Sequence, residues 1–357
     1  MLQTEASMVK IRGREIPLAT TMVGGYPRPH WLHGRVFGWG DGPQYTSMEQ
    51  RVAYEDALKV CVHDQAKAGL DLLSDGMQFE DSEAHGYQID VIFHLIPEML
   101  GGISNFGDPN PMPQWSAYYV SEVVDKITWK RPIFQGVVDG MKRVTGDPFK
   151  LSIVGPAQLA IMLKDLHYND QRAVALDLAA ALNHELKRLH QIYGLDSVQI
   201  VDISPHYIDK QSWQSEANCR MFEGLDDVLK VWHVCYGRTE GQVAVFENKV
   251  ANVLRVFAET NIDVLMHEMA GRDYAEIASF KRFPEDKILC AGVINDHEMQ
   301  IETHDEVAHG IRQLLEVIPP ERLMLAQDCG LRWVPRHIAA AKLQVMCDAA
   351  RTVRSEL

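Results

Sequence analysis

The sequence predicts a (β/α)8 barrel formed by residues 1–357 as a single domain. Eight short apolar runs alternate with longer stretches whose apolar residues recur at helical spacing. Strand-then-helix units repeated eight times are typical of this barrel, which commonly fills a chain of this length as one domain. The predicted strands are Leu18–Gly24, Leu70–Ser74, Lys150–Val154, Ser197–Asp202, Leu229–Tyr236, Asp263–Glu268, Lys287–Ile294 and Arg322–Gln327.

The segments between the predicted strands are predicted to be helices, with one long insertion between the second and third strands. The interval between the second and third strands contains a Gly- and Pro-rich stretch, Leu100–Met112, and a hairpin-like stretch, Ile127–Val138, which predict an insertion over the barrel mouth. An open doubly wound sheet is the alternative, but Val23–Pro27 after the first strand lacks its glycine-rich phosphate turn. The predicted helices are Glu49–Ala68, Gln171–Tyr193, Phe246–Thr260, Asp305–Val317 and Pro335–Arg354.

Composition restricts the partners and the compartment. A net charge of -14 and the absence of a Lys/Arg run argue against nucleic acid and anionic membranes as partners. No apolar stretch approaches the roughly 18 residues of a membrane helix, and the amino terminus lacks the features of a signal peptide. We therefore expect a soluble cytoplasmic protein. Its six cysteines, without disulfide spacing, suit reduced thiols and a metal.

Polar residues at the ends of three predicted strands indicate a metal site. His233 and Cys235 are two residues apart, so in a strand both side chains point to the same face. Cys329 and Glu268 each end another strand, and barrel active sites lie at these strand ends. Zinc prefers this mixture of imidazole and thiolate. The alternative is a pair of buried, inert cysteines beside a core histidine.

Several motifs together resemble the catalytic barrel of cobalamin-independent methionine synthase and its single-barrel relatives. The resemblance covers most of the chain and implies a zinc-dependent enzyme that alkylates a thiol. The family's zinc ligands correspond to His233, Cys235, Glu268 and Cys329. The matching segments are Thr20–Pro27, Gly69–Gly76, Val154–Pro156, His233–Tyr236, Glu268 and Asp328–Leu331.

The implied ligand set suits thiol chemistry. Two cysteinates, one glutamate and Zn²⁺ sum to about one negative charge, so a thiol bound as zinc thiolate stays nucleophilic. Hydrolysis would favour a less anionic zinc that polarises water better. The resemblance therefore implies S-alkylation of a small thiol by an alkyl donor.

Departures from the family pattern concern the thiol. Members that bind homocysteine carry a Glu for the substrate ammonium where this chain has Met77, and a thioether cannot replace a carboxylate paired with a buried cation. The family's Asp-Glu-Pro after strand four becomes Asp202-Ile203-Ser204, and its serine after the first strand is Gly25. These changes predict a thiol without an amino group.

The epoxyalkane:coenzyme M transferase branch of the superfamily fits such a thiol. In that reaction coenzyme M attacks the less hindered epoxide carbon, and the resulting alkoxide takes a proton to give 2-hydroxyalkyl-coenzyme M. His206, Tyr207 and Asp202 are candidate proton donors. Tyr26 and His30 are further candidate donors behind them. The candidate substrate-binding residues are Arg28 and Arg35 for the sulfonate, then Tyr26, Met77 and His297.

Two other functions remain open from the sequence. One is methyl transfer to homocysteine from a folate or a corrinoid protein, as in methionine synthase. The other is a non-catalytic, zinc-stabilised binding barrel. The sequence does not name the alkyl donor, and it leaves open whether the protein forms a homo-oligomer.

Overall fold

Eight parallel strands form the centre of the molecule. The computed structural model describes residues 9–29, 31, 48–78, 92–104, 107, 120–207, 213–237 and 250–357. The strands are β1 Ala19–Thr20, β2 Leu73–Ser74, β3 Phe149–Val154, β4 Ser197–Val201, β5 Leu229–Val234, β6 Val264–His267, β7 Ile288–Ile294 and β8 Leu323–Gln327. They pair in the order β1-β8-β7-β6-β5-β4-β3-β2.

A bridge between the two outer strands closes this sheet. Thr21, just beyond β1, pairs in parallel with Leu72, just before β2. The eight strands therefore form a barrel, and the predicted fold class is confirmed. Each observed strand lies within one residue of its predicted range or inside it.

Strand β3 illustrates why these segments are buried on both faces. Phe149, Leu151 and Ile153 alternate along the strand and pack with the residues of the helical layer. The intervening Lys150 and Ser152 are also buried, and Lys150 donates a hydrogen bond to Thr21 at 2.8 Å. Because side chains alternate across a strand, these polar residues face the barrel interior.

The helices surround the barrel in the order expected for strand-helix units. Those in the described part of the chain are α1 Met48–Ala68, α2 Ile92–Met99, α3 Gln135–Val144, α4 Pro156–Met162, α5 Gln171–Tyr193, α6 Ser204–Tyr207, α7 Trp213–Met221, α8 Val250–Ala258, α9 His304–Leu315 and α10 Arg336–Arg354. Within the described residues, four 3-10 helices cover Ala270–Arg272, Ile277–Arg282, Pro320–Arg322 and Leu331–Trp333. No helix among the described residues is both long and apolar enough to cross a membrane.

Local sequence explains the bounds of the two best-capped helices. The side chain of Asp170 accepts a hydrogen bond from the backbone of Arg172 at the start of α5, and Gly194 ends that helix in the left-handed conformation. Thr303 and Glu306 form a capping box at the start of α9. These signals are local, so the sequence predicted both helices to within about two residues of their observed ends.

A short hairpin closes the amino-terminal end of the barrel. Its strands, Lys10–Ile11 and Arg14–Glu15, pair antiparallel. Val9 and Ile11 pack with the interior residues of the barrel strands. The opposite rim, where the strands end, is therefore the end available for a functional site.

The insertion between β2 and β3 forms a small sheet of its own. Leu100–Ser104 pairs antiparallel with Glu122–Trp129, which also pairs in parallel with Lys164–Asp165 beyond β3. The hairpin predicted at Ile127–Val138 is therefore wrong, because Gln135–Val144 is helical and the partner of residues 122–129 lies upstream. The described part of the insertion packs against α5.

One buried carboxylate fastens the insertion to the barrel. Glu185 of α5 is fully buried and accepts hydrogen bonds from the Trp129 indole and from the backbone of Ile133 and Phe134, all at 2.8–3.0 Å. Removing this carboxylate would leave two buried backbone donors and one half-buried indole donor without an acceptor. Such donors are costly to bury unpaired.

Replacing Glu185 with Ala should therefore lower the free energy of unfolding by about 3 kcal/mol or more. Urea denaturation of wild type and variant measures the difference. The matched control is Glu216→Ala, which breaks an exposed ion pair with Arg172 and should lower the free energy of unfolding far less than Glu185→Ala does. Equal losses in the two variants would contradict the anchoring role.

Candidate metal centre and active site

Two strands of the barrel bring nitrogen and sulfur donors to one point of the rim. His233 belongs to β5, Cys235 follows that strand, and Cys329 follows β8. Their donor atoms all lie within 4.8 Å of one another. Because His233 and Cys235 are two residues apart in extended backbone, they share one face of the strand.

The thiol groups of Cys235 and Cys329 are hydrogen-bonded to each other, which moves their pKa values in opposite directions. Hydrogen bonding from the Cys329 thiol lowers the pKa of Cys235 well below its usual value, against the effect of burial, and His233 lowers it further. Hydrogen bonding to Cys235 raises the pKa of Cys329 well above its usual value. A divalent cation would favour release of that remaining proton, since metals bind the thiolate form.

The histidine indicates that the donors fit a metal. His233 is fully buried, and neither ring nitrogen has an oxygen or nitrogen partner among the described residues. A buried polar atom without a partner is costly, and a metal ion would satisfy it. Imidazole and thiolate together suit zinc. The residues present therefore fit a zinc ion.

Glu268 lies beside this group but is not one of its mutually close donors. It follows β6, is buried, and accepts a hydrogen bond from the backbone N–H of Tyr236 at 2.9 Å. Tyr236 directly follows Cys235. The carboxylate therefore links the ends of β5 and β6, and its predicted place among the zinc ligands stays a proposal.

Asp328 fastens the ends of β6 and β8 together. Its carboxylate accepts hydrogen bonds from the backbone of three consecutive residues, Met269, Ala270 and Gly271, within 3.0 Å. Burial nevertheless raises the pKa of Asp328 to about 6. Since Asp328 precedes Cys329 and Met269 follows Glu268, one side chain sets the spacing of two candidate ligands.

The residues after β4 form hydrogen bonds next to the candidate metal donors. Asp202 is fully buried and accepts hydrogen bonds from the Ser204 backbone at 2.8 Å and the Asn218 amide at 3.0 Å, and burial raises its pKa. Nε2 of His206 lies 2.9 Å from the backbone oxygen of Cys235. Asp202 and His206 therefore hold the segments that follow β4 and β5 in place. The side chain of Tyr207 lies outside the described residues.

Tyr26 is buried and is held by an ion pair that reaches the surface through Arg336. Its hydroxyl donates to Asp64 at 2.8 Å, and Arg336 donates two hydrogen bonds to the same carboxylate at 2.6 and 2.8 Å. Burial, then the hydrogen bond to Asp64, raises the pKa of Tyr26 far above its usual value. The network joins the loop after β1 to α1 and α10, and a substrate contact for Tyr26 stays a prediction.

The loops after β1, β2 and β8 meet at the carbonyl of Met77. Nη2 of Arg28 and Nη2 of Arg332 each lie 3.4 Å from that oxygen. Sequence reasoning named Arg28 and Met77 but missed Arg332, although its position three residues beyond Cys329 was a usable signal. Arg35 and His30 lie outside the described residues.

A buried acid and base lie next to each other after β7. Nε2 of His297 is 3.3 Å from Oδ1 of Asp296, and both side chains are buried. Burial, followed by the charges of Asp328, Glu268 and Cys235, raises the pKa of Asp296 well above its usual value. Asp296 therefore lies near the residues of the candidate metal centre. The sequence had pointed to His297 alone.

Comparison with known proteins establishes the family. Residues 18–352 match the model of the cobalamin-independent synthase catalytic domain. The chain belongs to this family of enzymes. This finding confirms the resemblance drawn from the motifs.

Two relatives of nearly equal similarity carry different names. The chain is 29% identical to the 2-hydroxypropyl-CoM lyase of Xanthobacter autotrophicus, over 97% of this chain and 98% of that protein. It is 31% identical to the methionine synthase of Saccharolobus solfataricus, over 95% of this chain and 96% of that protein. These similarities support the family and leave the substrate to be proposed.

Solved structures support the fold. A B12-independent methionine synthase from a Shewanella species, solved with selenomethionine, matches with a TM-score of 0.81 and 24% identity over 96% of this chain and 99% of that one. A protein described as a putative vitamin-B12-independent methionine synthase, from Listeria monocytogenes, matches with a TM-score of 0.72 and 18% identity over 93% and 96%. Both likenesses concern the barrel as a whole.

The loop after β2 contains a carboxyl group, that of Asp75, whose pKa is raised. Burial raises the pKa of Asp75 to about 6, although it accepts backbone hydrogen bonds from Ser152 and Met77. The folded protein therefore binds this proton more tightly than the unfolded chain does. The resulting stability is fully present below about pH 4 and is lost as the pH rises through about 6.

Asn at position 75 cannot titrate, so the Asp75→Asn variant should lack this pH dependence. As the pH rises from 4 to 7, the free energy of unfolding of the wild type should fall by roughly 2 to 3 kcal/mol relative to that of the variant. Urea denaturation across this range measures it. Parallel pH profiles for the two proteins would show that burial does not raise this pKa.

Proposed function

We propose that this protein is a zinc-dependent S-alkyltransferase that acts on a small thiol. The observation that carries the proposal is the convergence of His233, Cys235 and Cys329 within 4.8 Å at the catalytic rim of the barrel. Glu268, tied to the residue after Cys235, completes the proposed ligand set. When bound, zinc would remove the proton of the substrate thiol and hold the sulfur as a nucleophile.

The chain's own residues prepare the site for this chemistry. Asp328 and Glu268 accept backbone hydrogen bonds that fasten the ends of β5, β6 and β8 to one another. His206 fixes the backbone of Cys235 through its carbonyl. Donors held in this way bind a metal with little reorganisation when substrate enters.

For the specific reaction we propose that coenzyme M opens an epoxide. The carbon-sulfur bond forms at the less hindered carbon, the carbon-oxygen bond breaks, and the alkoxide takes a proton. The relative named 2-hydroxypropyl-CoM lyase supports this choice. Met77 also supports it, because it replaces the carboxylate expected for an amino-bearing thiol.

Methyl transfer to homocysteine is the second candidate. The methionine synthase relative, at 31% identity, favours it. The two candidates differ in charge development, since epoxide opening creates a strongly basic oxyanion and methyl transfer to a thiol does not. A proton donor is therefore needed for the first reaction.

His206 and Tyr207 remain the proposed proton donors. Because Nε2 of His206 contacts a carbonyl oxygen, that nitrogen carries the proton in the neutral ring, and delivery to substrate would use Nδ1 of the protonated ring. Asp202 accepts two hydrogen bonds at the same strand end and is a weaker proposal for the same role.

Replacement of Cys235 with Ala should remove both the metal and the alkyltransferase activity, because it deletes a donor from the centre of the group. Zinc per chain, measured by elemental analysis, and thiol alkylation are the two readouts. Cys290→Ala is the matched control: Cys290 is buried in the barrel, where burial raises its pKa to about 12. The control should keep its zinc, and a Cys235→Ala protein that retains both metal and activity would refute the proposed ligand set.

Epoxide consumption in the presence of coenzyme M tests the specific reaction. At least one of the substitutions His206→Gln and Tyr207→Phe should remove the proton donor. That variant should turn over the epoxide about tenfold or more slowly than wild type, with its zinc content unchanged. Gln retains an N–H group for the Cys235 carbonyl, which separates proton delivery from positioning. If wild type consumes no epoxide with coenzyme M but methylates homocysteine, the methyl-transfer proposal replaces this one.

A further inference from the structure

The segment that follows β6 turns back onto the residue after Cys235. It begins at Glu268, the carboxylate beside the metal donors, and continues through the 3-10 helix Ala270–Arg272. The guanidinium carbon of Arg272 lies 4.1 Å from the centre of the Tyr236 ring. One short segment therefore carries one candidate donor and contacts the residue next to another.

Glu276 completes this contact. Its carboxylate accepts a hydrogen bond from the Tyr236 hydroxyl, and the same oxygen lies 3.4 Å from Nε of Arg272. The side chains of Arg272 and Glu276 are only 12% and 16% exposed. An ion pair so well shielded from water is screened less than one at the surface, and a guanidinium group is attracted to an aromatic face. The pair therefore holds the tyrosine ring both by its face and by its hydroxyl.

Two histidines restrict the same ring further. His206 stacks on it with ring centres 5.3 Å apart and an angle of 27° between the planes, and His267 meets it edge-on at 5.3 Å. The two histidines also contact the backbone oxygens of Cys235 and Val234, at 2.9 and 3.0 Å. The chain around Cys235 is therefore held through a side chain and through its backbone.

The peptide group between Cys235 and Tyr236 passes this position on to Glu268. Its N–H donates to Oε2 of Glu268 at 2.9 Å, and its carbonyl oxygen lies 2.9 Å from Nε2 of His206. A displaced Tyr236 ring would tilt this peptide group. The Cys235 donor and the Glu268 carboxylate would then move together.

The turn beyond Arg272 is strained. Asp273 and Tyr274 have φ angles of 51° and 56°, in the left-handed region, and a bulky residue such as tyrosine seldom adopts it. The Tyr274 N–H donates to the Met269 carbonyl at 3.0 Å. Such strain persists only where surrounding contacts impose it, and here the turn brings Glu276 back to the hydroxyl of Tyr236.

We propose that Arg272 and Glu276 are positioning residues for the metal centre, which act through Tyr236 on Cys235 and Glu268. The inference rests on the metal-binding part of the proposed function and is independent of the thiol and of the alkyl donor. Contacts of this kind orient the side chains that bind a metal, and their loss typically weakens metal binding by about ten- to a hundredfold.

Cobalt(II) in place of zinc tests this role, because its visible absorption depends on the identity and geometry of its ligands. Competition with a chelator measures the affinity. Arg272→Leu and Glu276→Leu should each weaken cobalt binding by about tenfold or more and shift the absorption of the loaded protein. Arg272→Lys and Glu276→Gln should fall between wild type and the leucine variants, because the first keeps a cation near the ring and the second keeps an acceptor for the Tyr236 hydroxyl.

Arg255→Leu is the matched control. Arg255 lies on α8 and forms an ion pair with Glu259 at the same spacing of four residues, but both side chains are exposed. This variant should bind cobalt with wild-type affinity and an unchanged spectrum. Thermal unfolding checks that every protein is folded. Should a leucine variant fail to fold, Arg272→Lys and Glu276→Gln carry the test, with weaker binding and a shifted spectrum expected.

The cobalt spectrum separates positioning from a contribution to stability alone. Folded Arg272 and Glu276 variants that bind cobalt with wild-type affinity and spectrum would overturn the proposal, even if they unfold at a lower temperature. Wild type that binds neither cobalt nor zinc would overturn it together with the proposed function. If the variants behave as expected and wild type alkylates no thiol, the positioning role is supported and the proposed reaction fails.

Discussion

Closure of the parallel barrel is the constraint on which the candidate site depends. Strands β1 and β2 meet through Thr21 and Leu72, so the carboxyl ends of all eight strands share one rim. Residues almost a hundred positions apart, Cys235 and Cys329, meet there because β5 and β8 end at the same level. In an open sheet these strands would not be held around a common centre.

Buried carboxylates then fix the loops that follow the strands. Asp328 binds three successive backbone N–H groups beyond β6, and Glu268 binds the backbone beyond β5. Each acid satisfies donors that a loop would otherwise bury unpaired. These backbone hydrogen bonds stabilise several negatively charged groups close together at the rim, although burial by itself would disfavour their charged forms. Such an arrangement suits a divalent cation.

The charge around the rim is not uniform. The donor group, with Asp296 and Asp328 near it, forms an acidic side. Arg28 and Arg332 bring two guanidinium groups to the loops after β1 and β8, although the whole chain carries a net charge of -14.

The sequence by itself determined the strand-helix alternation and the candidate donors. Both depend on patterns confined to one segment: apolar runs, capping residues, and the spacing of His233 and Cys235. Only the tertiary structure decided the insertion's pairing, because Glu122–Trp129 pairs with an upstream strand and with Lys164–Asp165 from beyond β3. The same holds for Arg332 and Met77, whose contact joins loops 255 residues apart. A local pattern cannot report such contacts, since they arise from the closure of the barrel.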